Sequence, residues 1–213
     1  MAFKFALRAF LSAGFLFLSG LIASAEPYRI VGFGDSLTAG FGVGPGEGFT
    51  EKLQAALKAR GTEAEVANAG VSGDTTSGGL SRLDWSVPDG TRLVILELGA
   101  NDMLRGVTPN ITEKNLDAMI AKLKARNIPV LLVGMRAAPN LGADYSTAFN
   151  SIYPKLAEKY GIPLYPFFLE GVAADPQYLQ ADGMHPNARG VDRIVENILP
   201  AVEKLMAAKP NNS

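Results

Sequence analysis

Apolar residues in this chain fall into two kinds of pattern, short unbroken runs and stripes that recur every three or four positions. The two kinds alternate. Residues 28–34, 65–69, 92–98, 130–133 and 162–165 read as short strands, and the runs at 92–98 and 130–133 are apolar almost throughout, as in strands covered on both faces. Between them lie helical stripes. Phe49, Leu53, Ala56 and Leu57 recur with charges between them until Arg60-Gly61 supplies a stop signal. Residues 112–126 carry Leu116, Met119, Ile120 and Leu123 on one face. Residues 145–160 form a further helix. Residues 188–208 close the chain with Val191, Ile194, Val195, Ile198, Leu199 and Val202 inward and Pro200 as a kink point. Five strands alternating with helical stripes predict right-handed crossovers and a five-stranded parallel sheet between two helix layers, an α/β fold in one domain spanning 26–213. In such sheets ligands gather beyond the carboxyl ends of the strands, so the segments that follow strands are where chemistry is expected.

The start of the chain reads differently. Lys4 and Arg8 precede an uncharged, Leu- and Phe-rich stretch that ends in Ala23-Ser24-Ala25, the small-residue pattern of a secretory cleavage site. A spanning helix is the competing reading, but the uncharged stretch is about 17 residues, at the short limit for a bilayer, and Gly14 and Gly20 interrupt it. Residues 1–25 are therefore expected to be a cleaved signal peptide, leaving a chain exported to the periplasm or the medium with no stable membrane anchor. Removing its two bases takes the formal charge from −1 to −3.

Composition narrows the chemistry. With no Cys and a single His, thiol nucleophiles, disulfides, Cys-ligated metals and multi-His metal sites are all excluded, and any imidazole chemistry belongs to His185. No run of Lys or Arg offers the basic stripe that nucleic acid or an anionic membrane requires. A small uncharged substrate fits better. No pattern in the chain fixes an oligomeric state.

Four segments after strands carry candidate reactive groups. Gly34-Asp35-Ser36-Leu37 ends the first strand and places a hydroxyl where a nucleophile could project; the same residues would serve as a helix cap. The glycines at 40, 42, 44 and 46 follow no nucleotide-binding spacing, and Ser36 does not lie in a G-x-S-x-G elbow. Asp182-Gly183-Met184-His185-Pro186 precedes the last helix, and its three-residue separation lets one turn bring the carboxylate to imidazole Nδ1 with Nε2 facing outward. Asp182 as a mere cap of that helix is the alternative. Asn68-Ala69-Gly70-Val71-Ser72-Gly73-Asp74-Thr75 and Gly99-Ala100-Asn101-Asp102 follow the second and third strands and could present backbone N–H groups and an amide to an oxyanion. Alone, each is an ordinary turn.

Together, these segments resemble the blocks of the SGNH subgroup of the GDSL hydrolases, most closely the exported bacterial thioesterase I/lysophospholipase and arylesterase type, over essentially all of residues 26–213. The resemblance implies a flavodoxin-like three-layer α/β/α sandwich and no metal or organic cofactor. It makes Ser36 the nucleophile, with Asp182 and His185 completing a triad, and makes the Ser36 and Gly73 N–H groups and the Asn101 amide the oxyanion hole. The implied activity is hydrolysis of small-molecule carboxylic esters. Aryl esters, acyl thioesters including acyl-CoA, and lysophospholipids stay open, and a noncatalytic exported binding protein is the alternative of a different class. Leu37, Met103, Leu104, Leu141 and Phe149 are the expected pocket walls.

Overall fold

The computed structural model describes residues 26–208, so the expected signal peptide lies outside the described residues. Five strands, β1 (Tyr28–Gly34), β2 (Ala64–Gly70), β3 (Leu93–Glu97), β4 (Val130–Val133) and β5 (Leu164–Tyr165), form one parallel sheet in the order β2-β1-β3-β4-β5. That is the flavodoxin-like order. Around it lie α1 (Ser36–Ala39), α2 (Phe49–Ala59), α3 (Thr76–Ser86), α4 (Ala100–Leu104), α5 (Pro109–Ala125), α6 (Ala143–Tyr160) and α7 (Ala188–Ala207). Helices α2 and α7 pack together as one layer, and α3, α5 and α6 form the other, giving the expected three-layer α/β/α sandwich.

Burial explains the strand patterns. All of β3 and β4 is buried, which is why both read as continuous apolar runs, whereas β2 at the sheet edge buries only Val66 and tolerates Glu65 and Asn68. The strand direction of travel reverses between β1 and β3, so a crevice opens at their carboxyl ends. Gly34 pairs with Glu97 on one side and Gly70 on the other at that point.

Helix α7 runs through Pro200 rather than stopping there. An interior proline costs about 3 kcal/mol, but the six inward side chains predicted from the pattern are all buried, each worth roughly 1.5–3 kcal/mol, so the helix persists. Helix α5 starts three residues earlier than its apolar stripe suggests, because Pro109 suits the first helical position. Helix α3 has no clear apolar stripe and includes Gly78 and Gly79; a Cβ on Gly79 would run into Leu98, so the glycine allows close packing on the sheet.

Candidate active site

The first functional segment is built at the end of β1. Asp35 caps α1, its Oδ1 accepting the Leu37 N–H at 3.0 Å, and this leaves Ser36 as the first helical residue with its hydroxyl beyond the sheet edge. The cap of this motif is thus Asp35, and the Ser36 hydroxyl is left out of the capping bond. Gly34 is required by crowding: a Cβ there would run into Thr38 and the Glu97 carboxylate.

His185 reaches Ser36 across 149 positions of sequence. Its Nε2 lies 2.9 Å from Ser36 Oγ, and its Nδ1 lies 2.6 Å from Asp182 Oδ2. Asp182 Oδ1 also accepts the N–H groups of His185 at 3.0 Å and Met184 at 2.9 Å. These bonds, the His185 N–H foremost, hold the Asp182 carboxyl down to about 2, so it is ionised at neutral pH. An ionised Asp182 assigns the imidazole hydrogen to Nδ1 and leaves Nε2 free to accept from the Ser36 hydroxyl. The cap of α7 is Asn187, whose side chain accepts the Gly190 N–H, and Asp182 is free of that task.

The other two segments converge on the same crevice. Gly73 sits in a left-handed turn at φ 80°, and its carbonyl accepts from Arg105 at 2.7 Å. Asn101, in α4, donates one amide hydrogen to Asp35 Oδ2 at 3.0 Å. Asp35, Ser36, Gly73, Asn101 and His185 all line one cavity of about 470 Å³.

Leu37, Met103 and Leu104 line that cavity, joined by Phe41, Met135, Phe167 and Leu179. The expected walls Leu141 and Phe149 do not. Phe149 is fully buried in the core, stacked on Tyr145 at 6.0 Å and edge-on to Tyr153 at 5.9 Å. Leu141 lies in the 3-10 turn at Pro139–Leu141, half-buried, and packs its apolar surface against the core rather than the cavity. Arg136 also lines the cavity, with its guanidinium 4.7 Å from the Phe167 ring centroid and 3.3 Å from Glu170.

Three buried polar groups that sequence patterning does not single out hold these segments in place. Arg82 donates to the Gly34 carbonyl at 2.9 Å, the Ala69 carbonyl at 2.8 Å and Asp74 at 2.6 Å, and its guanidinium covers Phe33 at 4.1 Å. It ties the ends of β1 and β2 to the Gly73 turn. Asp102 accepts from the Thr76 N–H at 2.8 Å and the Thr112 hydroxyl at 3.2 Å, joining α4 to the starts of α3 and α5. Glu97 accepts the Asp35 N–H at 3.3 Å and the Thr38 hydroxyl at 2.8 Å. Burial raises the Glu97 carboxyl well above its ordinary range, with the Asp35 charge adding to the effect; burial also raises Asp35, to about 6. Asp35, with N–H bonds to both oxygens, is the ionised member of the pair, and Glu97 holds the proton. A signal existed in the sequence: Glu97 is the one charged residue inside an otherwise apolar strand.

A flavodoxin-like sheet with a hydrogen-bonded Ser, His and Asp at its switch point is an arrangement that can carry hydrolysis, and comparison with known proteins gives the class. Residues 33–193 match the GDSL-like lipase/acylhydrolase family, and the chain belongs to that family. It is 38% identical over 201 residues to esterase TesA of Pseudomonas aeruginosa, covering 94% of this chain and all of that protein. It is 41% identical over 177 residues to thioesterase 1/protease 1/lysophospholipase L1 of Escherichia coli K12, covering 81% of this chain and 83% of that one. Among solved structures, AlinE4, an SGNH-hydrolase family esterase, superposes with a TM-score of 0.72 at 49% identity, covering 86% of this chain and 98% of that one. The protein is a carboxylic ester hydrolase, which sets aside the noncatalytic alternative.

Proposed function

We propose that this protein is an exported serine esterase acting through Ser36, His185 and Asp182 by way of an acyl-enzyme. The observation that carries the reading is the continuous pair of hydrogen bonds, 2.9 Å from Ser36 Oγ to His185 Nε2 and 2.6 Å from His185 Nδ1 to Asp182. In the first half-reaction Ser36 Oγ bonds to the ester carbonyl carbon while its proton passes to Nε2, and Asp182 stabilises the imidazolium. The oxyanion is held by the N–H groups of Ser36 and Gly73 and by the second amide hydrogen of Asn101. The imidazolium then protonates the leaving alkoxide, the C–O bond breaks and the alcohol departs. Water attacks the acyl-enzyme with His185 again as base, releasing the acid and restoring Ser36.

The mainly apolar cavity supports acyl or aryl esters of short to medium length as substrates. Its one cationic wall residue, Arg136, lies beside Glu170, so the cavity offers little net positive charge to a polyanionic head group such as that of acyl-CoA. Simple aryl esters should therefore outpace matched acyl-CoA thioesters in kcat/KM. Among the described residues no helix is long and apolar enough to cross a membrane. Export is tested by N-terminal sequencing of the secreted chain, with Glu26 expected first. A fluorophosphonate probe tests the mechanism: the native protein should label at Ser36 and the Ser36→Ala variant should not. Native protein that resists labelling overturns the reading.

A further inference from the structure

The Gly-rich stretch at 40–48, which matches no nucleotide loop, wraps the outer side of the site. Gly40 ends α1 in the left-handed conformation, and the N–H groups of both Gly40 and Phe41 turn back to the Ser36 carbonyl. This fold-back brings the Phe41 ring against the His185 ring, with centroids 4.6 Å apart and planes tilted by 42°. Phe41 is 50% exposed, so burial alone does not hold it there. Its backbone is held instead. Gln180 Nε2 donates to the Phe41 carbonyl at 2.7 Å and to the Pro186 carbonyl at 2.9 Å, while the Gln180 N–H donates to the His185 carbonyl at 2.8 Å. One glutamine thus joins the loop to the backbone at and just after the imidazole. Gly42, at φ 73°, allows this approach, because a Cβ there would run into the Gln180 amide.

We propose that Gln180 and the 40–48 loop form a latch that seats the Phe41 ring against His185, where it stabilises the imidazolium formed as Ser36 gives up its proton. The inference rests on His185 being the base. A cation within about 6 Å of an aromatic centroid is attracted by the ring, and the ring also screens one side of an imidazole–carboxylate pair that is otherwise open to solvent. His185 and Asp182 keep 19% and 34% of their side-chain surface exposed. Because the positive charge exists only after proton transfer, the contact favours the transition state over the bound ester. Gln180 and Gly42 are positioning residues and do not line the cavity.

The test uses kcat and KM for p-nitrophenyl butyrate in Phe41→Leu, Phe41→Tyr, Gln180→Ala and Gly42→Ala variants of the full chain. Phe41→Leu keeps an apolar wall and removes the ring; it should lower kcat about three- to ten-fold with KM unchanged, and Phe41→Tyr should restore kcat. Gln180→Ala and Gly42→Ala should give losses of similar size, again in kcat. The Gln180→Ala/Phe41→Leu double variant should lose no more than the worse single one, since both act through one contact. If Phe41→Leu and Gln180→Ala stay within two-fold of the parent, or if their losses multiply, the latch is refuted. His185→Ala separates the two levels of inference: retained activity there refutes the site assignment itself, while its loss beside an unchanged Phe41→Leu refutes only the latch.

Discussion

Truncating Asn101 to alanine removes two hydrogen bonds with different consequences, and the structure separates them. One amide hydrogen goes to Asp35 Oδ2 at 3.0 Å in the resting protein. The second is the one assigned to the oxyanion in the proposed mechanism, where that charge forms only after Ser36 attacks. Loss of that second hydrogen should therefore reduce kcat by about 10²–10³-fold, or ~2.7–4 kcal/mol, with KM changed by no more than about three-fold. Loss of the first leaves a buried carboxylate oxygen of Asp35 without its partner, at roughly 1–3 kcal/mol of stability. That bond also helps lower the Asp35 carboxyl, so its removal moves Asp35 above about 6 and toward the protonated form at neutral pH. Steady-state kinetics with p-nitrophenyl butyrate measure the catalytic part; urea unfolding of the same variant measures the structural part. A drop in kcat of less than ten-fold in a folded Asn101→Ala protein, or a loss confined to KM, would refute the role given to this amide.

Ser36→Ala and His185→Ala should each lower kcat by about 10⁶-fold and Asp182→Asn by about 10⁴-fold, with the ester-binding cavity intact; activity within ten-fold of the parent in any of the three contradicts the triad. Glu97 keeps its proton in the folded protein at pH values where the unfolded chain has lost it, so its stabilisation is complete below about pH 4.5 and declines as pH rises, by up to about 1.4 kcal/mol per pH unit. Asp35 adds a decline of the same sign, ending near pH 6. Urea unfolding from pH 4 to 9 should show the native protein losing ground to Glu97→Gln as pH rises, and a pH-independent difference between them would be the contrary result. In a p-nitrophenyl ester series kcat/KM should climb about four-fold per added methylene until the cavity is full, at ~0.8 kcal/mol each. Met103→Ala should move the optimum to longer chains, whereas Phe149→Leu should lower the melting temperature and leave the optimum where it was; a shifted optimum in Phe149→Leu would return that residue to the pocket.

The strands and long helices are legible because burial imposes a period on their sequences. Val130–Val133 must be apolar at every position to lie between two helix layers, and α7 must repeat its inward residues to cover the sheet. Single turns such as α1 and α4 are too short to show any period, and α3 hides because small residues are what its close approach to Leu98 demands. The groups brought together at the site were readable for a different reason: Ser36, Asp182, His185 and Asn101 occur in local motifs placed after strands, and the parallel topology sends every strand end to the same edge. Phe149 and Leu141 could not be sorted from the cavity walls in the same way. An apolar residue after a strand looks alike whether it faces a core or a cavity, and for Phe149 only the rotation of α6 about its axis decides between them.

Helix α1 has four residues and could not persist alone, since a first helical turn fixes several dihedral angles for a single hydrogen bond. What holds it comes from elsewhere in the chain. Glu97 of β3 bonds both Asp35 N–H and the Thr38 hydroxyl, Asn68 of β2 donates to the Ala39 carbonyl at 3.3 Å, and Arg82 of α3 grips the Gly34 carbonyl. Gly34 and Gly70, paired in register, leave the space into which α1 settles, for a Cβ on Gly70 would run into the Ala39 backbone. The position of the Ser36 hydroxyl is therefore set by contacts that span 29 to 62 positions of sequence, at the cost of burying two carboxyl groups side by side. With the proton on Glu97, that cost falls and the negative charge stays on Asp35, where the Asn101 amide can use it as an anchor. An amide anchored in this way on the wall of the cavity is held in place before any substrate arrives, which is the preorganisation that the proposed oxyanion role of Asn101 requires.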